Sequence, residues 1–308
     1  GFFANRTCNN AAPPRSKLLG PRQCVHALRA PAGFSATPTA VLSQSFVTPM
    51  LFLQADGKIL VGGESSDESY NNRSVLLRLN TDGSLDTSFG TNGMCIETYG
   101  GSQEGIDDVV IGNGRIYAAG LGRPDPEGDY IYTISAYTMA GAKDTTFGTD
   151  GLSSVDPVQG DSALGGIAIA PDSSIIITGR VGETKFGVAR LSAAGVLDTT
   201  FGTSGLLLID PSTSYDDIGA MAIQPDGKIV IAGYGTDEMV YRYLALRLNS
   251  DGSIDTGFGT NGYIFHDPPA DSESYANGML IQNDGKLLLV GHIADSTTTK
   301  ILMSRYWP

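Results

Sequence analysis

The sequence predicts an all-β fold: a single β-propeller, read as five blades of four antiparallel strands, closed by pairing of N-terminal and C-terminal strands. Three observations carry this expectation. A motif returns in tandem about every 55 residues, the runs inside each unit alternate with period two, and Asp-Gly turn signals separate them. Sandwiches do not repeat their sequence in this way, whereas propeller blades do.

The first landmark is Leu85-Asp86-Thr87-Ser88-Phe89-Gly90-Thr91-Asn92-Gly93. It returns as Lys143 to Gly151, Leu197 to Gly205 and Ile254 to Gly262, with phenylalanines at 89, 147, 201 and 258. The second landmark, Asp56-Gly57-Lys58, returns as Asn113-Gly114-Arg115, Asp172-Ser173-Ser174, Asp226-Gly227-Lys228 and Asp284-Gly285-Lys286. The fourth unit shows the strands in order. Ile218 to Gln224 alternates and ends in Pro225-Asp226-Gly227, and Lys228 to Ala232 follows at once. Tyr243 to Asn249 ends in Ser250-Asp251-Gly252, and Tyr263 to His266 comes after the Phe-Gly turn. Asp-Gly between alternating runs signals a tight hairpin, because Gly and, less readily, Asp or Asn accept positive φ. The equivalent first strands are Thr48–Gln54, Ile106–Ile111, Leu164–Ala170, Ile218–Gln224 and Ala276–Gln282. The chain ends after a fifth third strand, Lys300 to Tyr306, so the run near Ala40 to Ser43 is expected to supply the missing outer strand and close the ring. A fragment, or a six- to eight-bladed ring lacking units, is the alternative.

Composition bounds the function. With 40 Gly, 15 Pro and 17% charged residues the chain is neither a coiled coil nor a charge-driven disordered protein. A net charge of −13 argues against binding nucleic acid, which depends on basic groups displacing phosphate counterions. That charge is uneven: residues 1–55 hold Arg6, Arg15, Lys17, Arg22 and Arg29 and no acid. Residues 1–39 fit no repeat and are expected to be an irregular leader, a strap or an appended non-native stretch, with the propeller over residues 40–308. No run is apolar enough for a transmembrane segment, and no signal peptide is visible. Of three cysteines, Cys8 and Cys24 could pair in an oxidising compartment, and Cys95 is expected inside a strand as a small core residue.

The pattern A-x-Q-P-D-G-K-I-V-x-A-G followed by R-L-N-x-D-G-S-x-D-x-x-F-G-x-x-G resembles the delta-60 repeat, a propeller-forming family of mostly bacterial, often exported proteins. The resemblance covers about residues 47–308 and implies fold and a secreted or cell-surface setting, without a general activity. The second unit shortens its turn to Gly112-Asn113-Gly114 and the third departs at Ser173-Ser174, both read as turn variation. The units are also similar to NHL-type blades, which implies that the first strand of each is innermost and lines the channel.

In that register the repeated Asp-Gly motifs share one face and are read as structural, with Asp86, Asp144, Asp198 and Asp255 bonding local backbone. Function is expected in the loops of the opposite face, where the units differ. The column just inside the channel mouth reads Pro49, Asp107, Gly165, Gly219, Asn277, and the next reads Met50, Asp108, Gly166, Ala220, Gly278. Gln103, Glu104, Asp161, Tyr215 to Asp217 and Glu273 to Tyr275 lie just before these strands, and Glu64, Leu121, Arg180, Tyr234 and His292 follow the glycine that ends each second strand. The mouth is therefore expected to be ringed by carboxylates and tyrosines. Asp107, Asp217, Asn277 and Glu104 are candidate oxygen ligands for Ca²⁺ or another divalent cation. His292 as base or metal ligand, Arg180 as oxyanion or anion partner, and Asp107 form a candidate catalytic set. Glu64, Asp108, Tyr215, Tyr234 and Tyr275 are candidate ligand contacts, with Tyr70, Tyr130, Tyr132, Tyr241 and Tyr243 beside the variable loops, because tyrosine with short polar groups suits binding. The expected partner is a glycan, a protein or a small molecule at the channel mouth. Three functions stay open: a binding propeller, a hydrolase of lactone, ester, phosphoester or glycoside substrates at the mouth, and a structural module that needs neither ligand nor metal.

Overall fold

The structure is a computed structural model, and it describes residues 47–66, 72–97, 105–123, 128–157, 162–182, 184–212, 214–237 and 240–307. Among these residues nineteen strands form five antiparallel sheets, each a meander in chain order. Blade 1 holds β1 (Val47–Leu53), β2 (Ile59–Ser66), β3 (Asn72–Leu79) and β4 (Met94–Glu97). Blade 2 holds β5 (Asp108–Gly112), β6 (Arg115–Gly122), β7 (Ile131–Thr138) and β8 (Leu152–Val155). Blade 3 holds β9 (Ser162–Ile169), β10 (Ile175–Val181), β11 (Lys185–Leu191) and β12 (Leu206–Ile209). Blade 4 holds β13 (Tyr215–Ile223), β14 (Ile229–Asp237), β15 (Val240–Leu248) and β16 (Tyr263–His266). Blade 5 has three strands, β17 (Ser272–Ile281), β18 (Leu287–Asp295) and β19 (Thr299–Tyr306). The fold is the all-β propeller expected from the repeat. Among the described residues no helix is long and apolar enough to cross a membrane. The expected closing strand near Ala40 to Ser43, the segment 1–39 and the Cys8/Cys24 pair lie outside the described residues.

Burial sits between blades, because each sheet is apolar on both faces. The first strands pack in series, β1 on β5, β5 on β9, β9 on β13 and β13 on β17. Leu60, Leu76, Phe89, Ile106 and Val109 fill the gap between blades 1 and 2. Tyr132, Ile134, Phe147, Ile167 and Ile177 fill the next. Ile176, Phe201, Ile218, Ile231 and Leu244 join blades 3 and 4, and Val230, Tyr243, Phe258, Ala276 and Leu289 join blades 4 and 5. Tyr132 and Tyr243, expected beside the variable loops, are thus core residues, since their strand positions face the adjoining blade. Cys95 is buried as expected, its Sγ donating to Gly141 O at 3.0 Å, and burial pushes its thiol up to about 12.

Each innermost strand contains one extra residue. The register slips between Val47 and Met50 in β1, at Gly165 in β9, at Gly219 in β13 and at Asn277 in β17. Just before β5 the bonds Asp107 N to Ala119 O (2.9 Å) and Gly105 N to Leu121 O (3.3 Å) make the same step. The alternation expected to be continuous from Ile218 to Gln224 is therefore broken: Ile218 and, past the slip, Met221 and Ile223 enter the same core. A bulge explains this, because two residues of one strand then face one of its partner and side-chain parity flips. The glycine opposite is obligatory. A Cβ on Gly233 would lie 2.0 Å from Asp217 O, and one on Gly291 would lie 1.7 Å from Tyr275 O.

The turn face joins the blades by one repeated clasp. Asp86 Oδ1 accepts from Ser88 N and Oγ, the local bonding expected of the motif, and its Oδ2 accepts from Lys58 Nζ (2.8 Å) and Arg78 Nε (2.7 Å). Arg78 also covers the Phe89 ring at 4.5 Å and donates to Met139 O of the next blade. Phe89 and Phe147 press on Gly141 and Gly195, whose φ of 84° and 81° suit glycine and whose missing Cβ leaves room for the rings. Asp144 with Thr146 and Arg115, Asp198 with Thr200 and Arg190, and Asp255 with Gly257, Lys228 and Arg247 repeat the arrangement.

Candidate functional site

On the opposite face the bulge decides which residues meet. Asp216, Ile218, Ser274 and Ala276 turn into the core, so their neighbours Tyr215, Asp217, Glu273 and Tyr275 take the other side of β13 and β17. Cross-strand pairing then sets Tyr234 beside Asp217 and His292 beside Tyr275. The result is an aromatic wall across blades 4 and 5. Tyr215 stacks on Tyr234 (6.2 Å between centroids), Tyr234 meets Tyr275 edge-on (4.8 Å), Tyr241 stacks on Tyr275 (5.4 Å) and Tyr275 stacks on His292 (4.7 Å).

Polar groups are interleaved with the rings. Asp217 Oδ1 accepts from Ile218 N at 2.9 Å, and its Oδ2 accepts from Tyr234 OH at 3.1 Å and Tyr215 OH at 3.5 Å. Arg180 reaches in from blade 3, its Nε 3.9 Å from Asp217 Oδ1 and its guanidinium 5.5 Å from the Tyr215 ring centroid. Among the described residues that Nε is buried without a hydrogen-bond partner, while Nη1 donates to Gly182 O. Tyr275 OH donates to Glu273 Oε2 at 2.5 Å, and His292 Nδ1 lies 2.8 Å from Asn277 Oδ1. Burial raises the Asp217 carboxyl above its ordinary range against the opposing pull of Arg180. The same desolvation raises the phenols of Tyr215, Tyr234 and Tyr275 and lowers the His292 imidazole, so the rings are neutral hydrogen-bonding groups at pH 7.

The structure thus brings together seven residues singled out from the sequence: Arg180, Tyr215, Asp217, Tyr234, Tyr275, Asn277 and His292. Other candidates stand elsewhere. Asp107 is exposed at the blade 2 bulge, and Glu64 accepts from Asn72 Nδ2 at 3.1 Å on blade 1. Asp108 bonds across blades: Oδ1 accepts from its neighbour Val109 N (2.8 Å) and Oδ2 from Ile167 N (2.9 Å) of blade 3. Burial raises its pKa to about 6. Glu104, Gln103, Asp161 and Tyr70 lie outside the described residues. For a divalent cation, Asp217 is committed to tyrosine and backbone donors and Asn277 to His292. Among the described residues no three His, Cys, Asp or Glu side chains are grouped to hold a metal ion.

Two features of the surface escape sequence reasoning. Residue type sets Tyr241 near the loops but not in the stack; its place on β15 beside Tyr234 and Tyr275 follows only from the sheet register and blade packing. The departure at Ser173-Ser174 is more than turn variation. Ser173 does take φ 72°, but Ser174 also stands where Lys58 and Lys228 stand in blades 1 and 4, and cavities open beside it.

Comparison with known proteins agrees with the architecture. Residues 54–89, 170–201 and 224–258 match a domain of unknown function (DUF5122) that forms β-propellers. Each matched segment runs from the turn after an inner strand to a clasp phenylalanine. No curated protein sequence matches the chain. Similar solved structures include an endo-arabinase from Bacteroides thetaiotaomicron (10% identity, 84% of this chain and 93% of that one, TM-score 0.44). A protein of unknown function from Dyadobacter fermentans is 16% identical over 83% of this chain and 75% of that one, at TM-score 0.49. An ulvan lyase is 9% identical over 85% and 71%, also at TM-score 0.49. Three stretches of this chain, all on the hairpin and clasp side of its blades, are therefore similar to a β-propeller domain family.

Proposed function

We propose that this propeller binds a glycan on the mouth-side surface of blades 3 to 5. The aromatic wall of Tyr215, Tyr241, Tyr275 and His292, packed on a buried Tyr234 that backs the wall rather than facing a ligand, carries the reading. A sugar ring offers a C–H face that suits an aromatic ring and a rim of hydroxyls that needs donors and acceptors. Tyrosine supplies the ring at low entropy cost, and Asp217, Glu273, Asn277 and Arg180 supply the polar rim. The resemblance of the repeat to the delta-60 family supports a secreted or cell-surface setting. The test is a glycan array followed by titration calorimetry on wild type, Tyr275→Ala and Tyr241→Ala. Saturable binding that each variant weakens about tenfold or more is expected, since a stacked ring at a binding centre carries more than about 1 kcal/mol. Binding to no glycan, or binding that neither substitution changes, would reject the reading.

Hydrolysis at the same surface is the second reading, favoured by one observation: the Asp217 carboxyl is raised by burial beside Arg180, as an acid catalyst requires. Here Asp217→Asn would abolish turnover of a bound oligosaccharide and leave its binding intact.

A further inference from the structure

The turn face departs from its own repeat in blade 3. In blades 1 and 4 the clasp aspartate accepts two cations on one oxygen: Lys58 at 2.8 Å and Arg78 at 2.7 Å on Asp86 Oδ2, and Lys228 at 2.9 Å and Arg247 at 2.7 Å on Asp255 Oδ2. In blade 3 the lysine position is Ser174, whose Oγ turns back to Asp172 Oδ1 at 2.6 Å. Asp198 Oδ2 keeps Arg190 alone as its cation among the described residues, at 2.6 Å. Its side chain is 28% exposed, against 7% for Asp86 and 13% for Asp255.

The missing side chain leaves space. A cavity of about 490 Å³ is lined by Asp172, Ser174, Arg190, Ser192, Val196 and Asp198. A second, of about 210 Å³, has Asp172 and Ser174 as shared wall and continues toward Pro225, Asp226 and Ser250 of blade 4. The pair forms a groove along the junction of blades 3 and 4, with three carboxylates and one guanidinium on its walls.

We infer that this groove binds a primary alkylammonium group, which takes the place of the absent lysine on Asp198 Oδ2 with its carbon stem along Val196 and Leu197. Blades 1 and 4 show the bonding: the same aspartate oxygen, with its arginine already in place, accepts an ammonium at 2.8 Å and 2.9 Å. The excess of carboxylates and the two adjoining cavities suit a chain with a second cationic end. Either a free diamine or a lysine side chain of a partner protein has this chemistry.

The decisive experiment is titration of the whole chain with 1,4-diaminobutane, and separately with Nα-acetyl-lysine N-methylamide, at low ionic strength, following heat and backbone amide shifts. Butane-1,4-diol is the uncharged control. Saturable binding of an amine with shifts at Ser174, Asp198 and Val196, weakened by salt and about tenfold or more weaker in Ser174→Lys, is expected, because the introduced ammonium occupies the site. Tighter binding of the diamine assigns a free amine, and tighter binding of the lysine amide assigns a protein partner. Asp198→Asn, which keeps a carbonyl for Thr200 and loses the charge, gives the same loss by another route. No saturation, equal binding of the diol, or an affinity that both variants leave unchanged would overturn the inference.

Discussion

Two pairs of aspartates, Asp86 and Asp144 on the turn face and Asp108 and Asp217 on the mouth side, titrate in opposite directions. On the turn face Asp86 and Asp144 are held well below the ordinary carboxylate range, first by Lys58 and Ser88 for Asp86 and by Thr146 and Arg115 for Asp144, which sits at about 2. On the mouth side Asp108 and Asp217 are raised, because burial outweighs the donors around them. The difference follows from partners. Turn-face carboxylates meet full positive charges and hydroxyls at the rim, where water still reaches. Asp108 meets backbone amides and Asp217 meets an amide, phenols and the more distant Arg180 in a dry setting, where desolvation outweighs these partners and the charged form is the costly one. The turn face uses charge-paired carboxylates to hold its clasps, whereas the mouth side keeps Asp217 poorly solvated beside a ring-lined surface and uses Asp108 to tie blade 2 to blade 3.

The largest expected effect lies on the turn face. Phe201→Ala empties a fully buried clasp socket under Arg190 and against Gly252, and should lower stability by about 3–5 kcal/mol in chemical denaturation. Next comes the seam between the faces. Gly233→Ala forces a Cβ onto Asp217 O and should cost about 1–3 kcal/mol while displacing Asp217 and Tyr234, so glycan binding falls with it. A stable variant with wild-type binding would show that the bulge does not position the wall.

A smaller effect is pH-dependent. The Asp108 pKa of about 6 exceeds its unfolded value near 3.9, so between these values the folded chain holds more protons than the unfolded one. This group's contribution to stability is therefore intact below about pH 4, declines as pH rises, and is lost above about pH 6. Asp108→Asn should flatten that part of the melting profile by on the order of 2 kcal/mol, less than the full shift because the carboxyl is part-exposed. Turn-face carboxylates act in reverse, and the stability given by Asp144 is lost only as pH falls toward about 2. The smallest stability effect is that of Tyr241→Ala. A half-buried ring at the wall's edge should cost about 1 kcal/mol in folding and show itself in binding instead. A larger loss would move Tyr241 from the ligand surface into the core.

Legibility in the sequence follows the same division. The clasp is readable because Asp, Gly and Phe recur at fixed offsets, and turn chemistry explains Asp86 and Gly57 without coordinates. The two cations on Asp86 are not, since Lys58 and Arg78 lie 28 and 8 residues away and only the strand register brings them together. At the mouth the sequence singles out the tyrosines, histidine, arginine and aspartate that the structure brings together. Their grouping is not legible, because a count by twos along β13 or β17 fails at the bulge, and because Asp107, in the same column as Asn277, stands on a distant blade.

The extra residue in each inner strand also divides the molecule into two zones under different constraint. Below it, Met221, Ile223, Met279 and Ile281 are tied to the packing of neighbouring blades, and a change there is felt across the blade junctions. Above it, the parity of the strand starts afresh, so residues such as Tyr215, Asp217, Glu273 and Tyr275 can be exchanged without moving the core. A scaffold of this kind can be re-aimed at a new ligand by substitutions confined to two or three blades, while the remaining copies of the repeat go on holding the shape.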